Sequence, residues 1–204
     1  RNNIPIEEKS AARKRLGLPD CLTILSAGGS QGASRLNEAV VQLLAYEQKK
    51  GNINHIHGYG KHGRDTFMQS LENNGVDAGN PHFIIKEYID NMYTCMCASD
   101  LIITRAGAMT LTEIMAIGRA SVLIPYPYAA ENHQYYNALT LQNANAGRII
   151  DDKELTGGVL IDTVNRLADD PELLRLMSEN AAKLSKRDAA GKILREITEL
   201  MGIK

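Results

Sequence analysis

The sequence predicts an α/β fold, a doubly wound parallel sheet with a helical C-terminal tail. Three observations predict it. Six short runs rich in β-branched and other apolar residues recur along the chain. The segments between them carry the 3.6-residue apolar spacing of helices. The runs have few alternating polar positions, as expected of strands that helices cover on both faces.

The first strand is expected at Leu22–Ala27, and the helix after it takes its apolar face from Leu36, Ala39, Val40, Leu43 and Leu44. The second, Ile53–His57, precedes a helical pattern at Phe67, Met68 and Leu71. His82–Ile85 and Leu101–Thr104 follow, the latter leading to Leu111, Ile114 and Met115 on one helix face. Ser121–Pro125 and Gly147–Ile150 complete the sheet. From about Thr156 the pattern is helical without a strand, first over Val159–Leu167. Asp170-Pro171-Glu172, an acidic cap ahead of a proline at the first helical position, then opens a long run to Met201. No repeat, low-complexity tract or linker interrupts residues 1–204, so one domain is expected.

Composition narrows the function. In 204 residues, 23 Lys+Arg against 24 Asp+Glu leave a net charge of −1, which gives no electrostatic footprint for a nucleic-acid partner. No apolar run reaches the length of a membrane span, and no signal peptide opens the chain. The first residue is Arg1 rather than Met, as expected of a piece of a longer protein. Cys21, Cys95 and Cys97 are an odd set suited to a reducing compartment rather than to a disulfide framework. His55 and His57 share a strand face, but no third ligand lies at a suggestive spacing, so they read as ordinary histidines and not as a zinc site.

Three loops carry candidate chemistry. Gly28-Gly29-Ser30-Gln31-Gly32-Ala33 lies between a strand and a helix, where glycines let the backbone approach a phosphate and the helix N-terminus supplies positive charge. A plain tight turn is the alternative. A nicotinamide fingerprint is not matched, because Ala27 stands where its first glycine belongs and His55-Ile56-His57-Gly58 offers no acid for the ribose. After the fourth strand, Arg105-Ala106-Gly107-Ala108-Met109-Thr110 leads into a helix with Glu113 one turn inside. That carboxylate suits the vicinal hydroxyls of a ribose, yet Thr110-x-x-Glu113 equally fits a capping box. Topology favours the ligand, since the loops after strands one and four flank the switch point of a doubly wound sheet. After the fifth strand, Glu131, Asn132, His133, Gln134 and Asn137 crowd a helix start, where amides suit sugar hydroxyls or simply cap the helix.

Taken together, these three motifs resemble, in order and spacing over nearly the whole chain, the donor half of the MurG family. These are bacterial N-acetylglucosaminyltransferases that convert lipid I to lipid II in peptidoglycan synthesis. The resemblance implies the C-terminal, Rossmann-like half of a two-domain glycosyltransferase of the B fold, which binds UDP-N-acetylglucosamine. By position, Ser30 contacts the donor phosphates, with Gly29 and Gly32 in the same loop. Ile89, within Tyr88-Ile89-Asp90-Asn91-Met92, holds the uracil edge through its backbone. Ala108, Met109 and Thr110 lie against the diphosphate, and Glu113 takes the ribose hydroxyls. Gln134, with His133 beside it, reads the N-acetylglucosamine. Arg105 and Asn137 belong to the matching motifs and join the donor-binding set, and Arg1 matches a family arginine at the start of this half.

The implied reaction is an inverting displacement with no cofactor and no metal, in which helix N-termini stabilise the departing diphosphate. The resemblance places no catalytic base in this half. It assigns the base, the lipid I site and the membrane contact to an N-terminal acceptor domain absent from these residues. The whole protein is then expected on the cytoplasmic face of the plasma membrane as a peripheral enzyme, and this chain is expected to bind donor without turnover. Two alternatives stand: a stand-alone donor-binding subunit of a split glycosyltransferase, and half of a UDP-sugar epimerase. Leu194, Ile197 and Leu200 near the end are expected to be partly bare and to favour self-association.

Overall fold

The computed structural model describes residues 6–185 and 189–201, so Arg1 lies outside the described residues. In chain order the elements are α1 (Lys9–Leu16), β1 (Leu22–Ala27), α2 (Ser34–Lys50), β2 (Ile53–Gly58), α3 (Phe67–Asn73), β3 (Phe83–Lys86), α4 (Met92–Ala98), β4 (Leu101–Thr104) and α5 (Ala108–Ile117). They continue with β5 (Ala120–Leu123), α6 (His133–Asn143), β6 (Gly147–Ile149), α7 (Gly157–Ala168), α8 (Pro171–Lys183) and α9 (Ala189–Leu200). The strands form one sheet in the order β3-β2-β1-β4-β5-β6, every neighbouring pair parallel. This is the doubly wound arrangement expected, with β1 at the switch point.

Successive strand residues alternate between two cores. Ile24, Leu101, Ile103 and Val122 join a cluster with α2, α3 and α7, while Leu25, Ile102 and Leu123 join one with α1, α4, α5 and α6. Period-two alternation with both faces covered explains why these strands lack a regular polar face, the polar residues they do carry, such as Ser26, His55 and His57, being buried. The strand ends differ slightly from the expectation: β5 ends at Leu123, and Ile124 follows it with its N–H donating to the Thr104 carbonyl at 2.9 Å. Pro125, with no N–H to offer, lies beyond the strand.

The C-terminal helices are integral to this core. Leu160, Val164 and Leu167 of α7 and Leu174 and Met177 of α8 are buried in the α2-side cluster. Thr156 and Asp170 cap the two helices, their side chains accepting from Val159 N–H at 3.2 Å and Leu173 N–H at 2.9 Å. The long run expected to Met201 is interrupted. The amides of Leu184 and Ser185 turn back to the carbonyls of Ala181 and Ala182, a tightened turn that ends α8. In α9, Ile197 is 46% and Leu200 88% exposed, while the Leu194 side chain lies outside the described residues. Among the described residues no helix is long and apolar enough to cross a membrane.

Two elements had no counterpart in the sequence pattern. α1 is polar, and it is fastened by charge at the N-terminal edge of the sheet. Arg13 pairs with Asp20 and Asp100 and donates to the Ala98 carbonyl, while Asp100 also accepts from Thr23 N–H at 2.8 Å. α4 is short, and its Cys95 and Cys97 are buried and form no disulfide. Burial pushes the Cys95 thiol up to about 11, which keeps it protonated and inert at neutral pH.

The two histidines of β2 lie in the core, fully buried in a polar chain. Glu47 Oε2 on α2 is 2.7 Å from His55 Nδ1, and Ser26 Oγ on β1 is 2.7 Å from both His55 Nε2 and His57 Nδ1. The hydroxyl donates to one ring and accepts from the other, so a single serine serves both, while His57 Nε2 is buried without a hydrogen-bond partner among the described residues. His57 also stacks on Phe67, ring centroids 4.7 Å apart. Complete burial, reinforced by neighbouring His55, holds the His57 imidazole well below its usual 6.5. Native His57 is therefore neutral where the unfolded chain takes up a proton. Its contribution to stability is complete above pH 6.5 and is lost as pH falls towards the lower native value. Denaturant unfolding between about pH 6.5 and about pH 5 is expected to show a slope in the wild type steeper than in His57→Phe, by up to about 1.4 kcal/mol per pH unit.

Candidate functional site

The glycine loop after β1 is clasped by the loop after β2. Lys61 and His62 N–H groups donate to the Ser30 and Gln31 carbonyls at 3.3 and 2.8 Å, and Asn37 Nδ2 holds the Tyr59 carbonyl at 2.9 Å. Gly32 has φ +87°, and a Cβ there would stand 2.3 Å from the Tyr59 carbonyl oxygen. Gly60, at φ +70°, approaches from the other side, where a Cβ would meet the Gly32 nitrogen at 2.2 Å. Glycine is required at both positions by conformation and by contact. The clasp fixes the loop so that Gly29 and Ser30 face outward beside the start of α2. Ala33, the N-cap of α2, supplies no side-chain hydrogen bond to the helix.

The second loop rules out the capping-box reading of Glu113. α5 begins at Ala108 on an N-cap of Gly107, with no side-chain cap, so Thr110 lies inside the helix and no capping box forms. Glu113 Oε1 instead accepts a hydrogen bond from the Tyr93 hydroxyl at 3.1 Å. Ala108 and Met109 are exposed in the first turn, whose N–H groups have no acceptor within the helix. Arg105 is engaged internally. Its Nη1 is 2.6 Å from Asp152 Oδ1 and donates to the Ile124 and Pro125 carbonyls at 3.2 and 3.3 Å. It ties the second loop to the third and to the Asp152–Glu154 turn.

The third loop leads into α6 through two consecutive non-glycine residues in the left-handed region, Glu131 at φ 51° and Asn132 at φ 56°. Such a conformation costs about 1 kcal/mol or more per residue and persists only where surroundings impose it. Gln134 Oε1 accepts from the Tyr126 N–H at 3.0 Å, and Asn137 Nδ2 donates to the Ala106 carbonyl at 3.2 Å. His133 is exposed, its Nδ1 2.8 Å from the Ala130 carbonyl oxygen.

A cavity of about 330 Å³ opens at the C-terminal edge of the sheet, where Ala27, Gly58 and Thr104 end three adjacent strands in register. Its wall brings together Gly29, Ser30, Ile89 and Glu113 of the residues singled out from the sequence. The Ile89 side chain is buried against Gly58. Gly32, Arg105, Ala108, Met109, Thr110, His133, Gln134 and Asn137 do not line this cavity. The wall adds Ala27, Gly58, Glu87, Tyr88, Asp90, Met92 and Tyr93. Of these, Glu87 is held in a two-pronged pair by Arg64, at 2.8 and 2.7 Å, which keeps its carboxyl below the usual range. The position of the post-β3 loop on the same sheet edge was the available signal for the added residues. A larger cavity, about 490 Å³, lies at the opposite edge among Arg13, Asp100, Arg119 and Arg175. Its arginines are engaged with carboxylates or backbone carbonyls.

Residues 23–193 match the model of the glycosyltransferase family 28 C-terminal domain. The chain belongs to this family. A relative is the UDP-N-acetylglucosamine--N-acetylmuramyl-(pentapeptide) pyrophosphoryl-undecaprenol N-acetylglucosamine transferase of Desulfitobacterium hafniense. It is 41% identical over 181 residues, covering 88% of this chain and 49% of that protein. The crystal structure of MurG from Acinetobacter baumannii superposes with a TM-score of 0.78 at 28% identity, over 96% of this chain and 54% of that one. A putative UDP-N-acetylglucosamine 2-epimerase from Listeria monocytogenes reaches 0.69 at 14% identity, over 93% and 47% of the respective chains, a likeness of fold alone. The resemblance read from the three loop motifs is thus borne out in sequence and fold. The chain spans about half the length of the curated relatives it matches.

In this family 28 domain the Gly32–Gly60 contact has no slack, because backbone stands on both sides of it. Gly32→Ala is expected to lower stability by about 2 kcal/mol or more, read as a reduced urea midpoint with an unchanged slope.

Proposed function

We propose that this chain is the donor half of an inverting N-acetylglucosaminyltransferase, and that its cavity receives the uridine diphosphate of UDP-N-acetylglucosamine. The observation that carries the reading is the convergence of Gly29, Ser30, Ile89 and Glu113, from three separate segments, on one cavity at the sheet's switch point. In this reading Ser30 and the first turns of α2 and α5, with Ala108, Met109 and Thr110, meet the diphosphate. The Ile89 backbone meets the uracil, and Glu113 meets the ribose hydroxyls. Gln134, His133 and Asn137 on the third loop face the N-acetylglucosamine, with the strained Glu131-Asn132 turn setting the start of their helix. Arg105 acts by holding the second and third loops together.

The acceptor hydroxyl of lipid I attacks the anomeric carbon as the bond to the diphosphate oxygen breaks. Its proton passes to a base, and UDP leaves with the bonding electron pair. Uncapped helix N-termini aimed at the diphosphate suit the negative charge that accumulates there. The base, the lipid I site and the membrane-facing surface belong to an acceptor domain outside these residues, and the complete enzyme works as a peripheral protein on the cytoplasmic membrane face. Donor binding without turnover is the activity proposed for this chain alone.

Thermal unfolding in the presence of UDP-N-acetylglucosamine, UDP-glucose and NAD tests the reading. At a concentration about 100 times Kd, UDP-N-acetylglucosamine is expected to raise Tm by about 5–10 °C, and more than UDP-glucose at the same concentration. Stabilisation by NAD in place of the UDP sugars, or by none of the three, would overturn it.

A further inference from the structure

We propose that Tyr93 is a positioning residue for Glu113, fixing its carboxylate for recognition of a vicinal diol and so setting a preference for ribonucleotide over deoxyribonucleotide. The proposal rests on the reading of this cavity as the uridine diphosphate site. Tyr93 is on α4 and Glu113 on α5, 20 residues apart, and both line the cavity with Ser30 and Ile89. The tyrosine ring packs at the margin of the core cluster to which Cys95 and Met96 of the same helix belong, each 1% exposed. The phenol is therefore a post set in the core with its hydroxyl at the cavity wall.

The two side chains differ in freedom. A glutamate has three side-chain torsions and loses much rotamer entropy when a ligand fixes it. A packed tyrosine has two torsions and is held by its ring. The Tyr93 hydroxyl orients the Glu113 carboxylate, donating to Oε1 at 3.1 Å. A carboxylate offers about four lone-pair sites, so one bond from Tyr93 is compatible with acceptance from two adjacent hydroxyls. Fixing the carboxylate before the ligand arrives lowers the ordering cost of binding, and does so only for a ligand that uses the carboxylate.

Isothermal titration of the 204-residue chain with UDP and with 2′-deoxy-UDP separates this role from a merely structural one. Tyr93→Phe keeps the ring and removes the donor. It is expected to weaken UDP about fivefold while leaving 2′-deoxy-UDP within about twofold, so that the ribose preference shrinks. Unchanged UDP affinity, or an equal loss for both nucleotides, would overturn the proposal. A wild type that binds no UDP, or binds both nucleotides alike, would instead overturn the reading of the cavity and the proposal with it. Should Tyr93→Phe melt below the titration temperature, Tyr93→Met fills similar space without a donor and is held to the same criteria.

Discussion

A parallel strand must send the chain back across the sheet before its neighbour can begin, so every crossover in this molecule leaves from one edge and re-enters at the other. That constraint governs the rest of the structure. With β1 paired to β2 on one side and β4 on the other, the chains leaving β1 and β4 diverge to opposite faces, and a crevice opens between them. Helices that start at this edge turn their unpaired N–H groups and their positive ends towards it. A polyanion is the ligand such an edge favours before any side chain is chosen. In the proposed reading the side chains then restrict which one: a carboxylate for a diol, and amides for a sugar.

The polar interactions divide by location. At the N-terminal edge, Arg13, Lys9 and Asp100 fasten α1, a helix with too little apolar surface to hold itself. Inside the sheet, Glu47, His55, Ser26 and His57 form a buried chain linking α2 to β1 and β2, directly behind the glycine loop. At the ligand edge, Arg105 bridges two loops through Asp152 and two carbonyls. None of these groups lines the candidate ligand cavity, yet the buried chain and Arg105 fix elements that do or that stand beside it. Exposed pairs such as Arg175 with Glu172 contribute little by comparison.

Much of the fold could be read in the sequence because strands buried on both faces announce themselves as apolar runs. All six were located to within a residue or two. α1 and α4 were not, since one is mostly polar and the other is about two apolar turns that periodicity cannot distinguish from a strand. The site was readable where a motif sits in one loop. Glu113 was undecidable from spacing alone, because whether it could serve as a cap depended on whether the helix began at Ala108 or three residues later, at Leu111. Tyr93 carried no signal at all: its significance is a contact across 20 residues, created by the packing of α4 against α5. The internal engagement of Arg105 was hidden for the same reason, its partner Asp152 lying far along the chain.

The interlock between Gly32 and Gly60 bears on how such a loop is inherited or transplanted. Six residues from Gly28 to Ala33 look like a portable phosphate-binding cassette. In three dimensions their shape is half of a two-piece joint, the other half being the run from Tyr59 to Gly63. Grafted into another α/β sheet without that second run, the glycines would lose the backbone partner that holds their curve. Drift in either segment is therefore tied to drift in the other, and the unit that evolution or a designer can move is the pair.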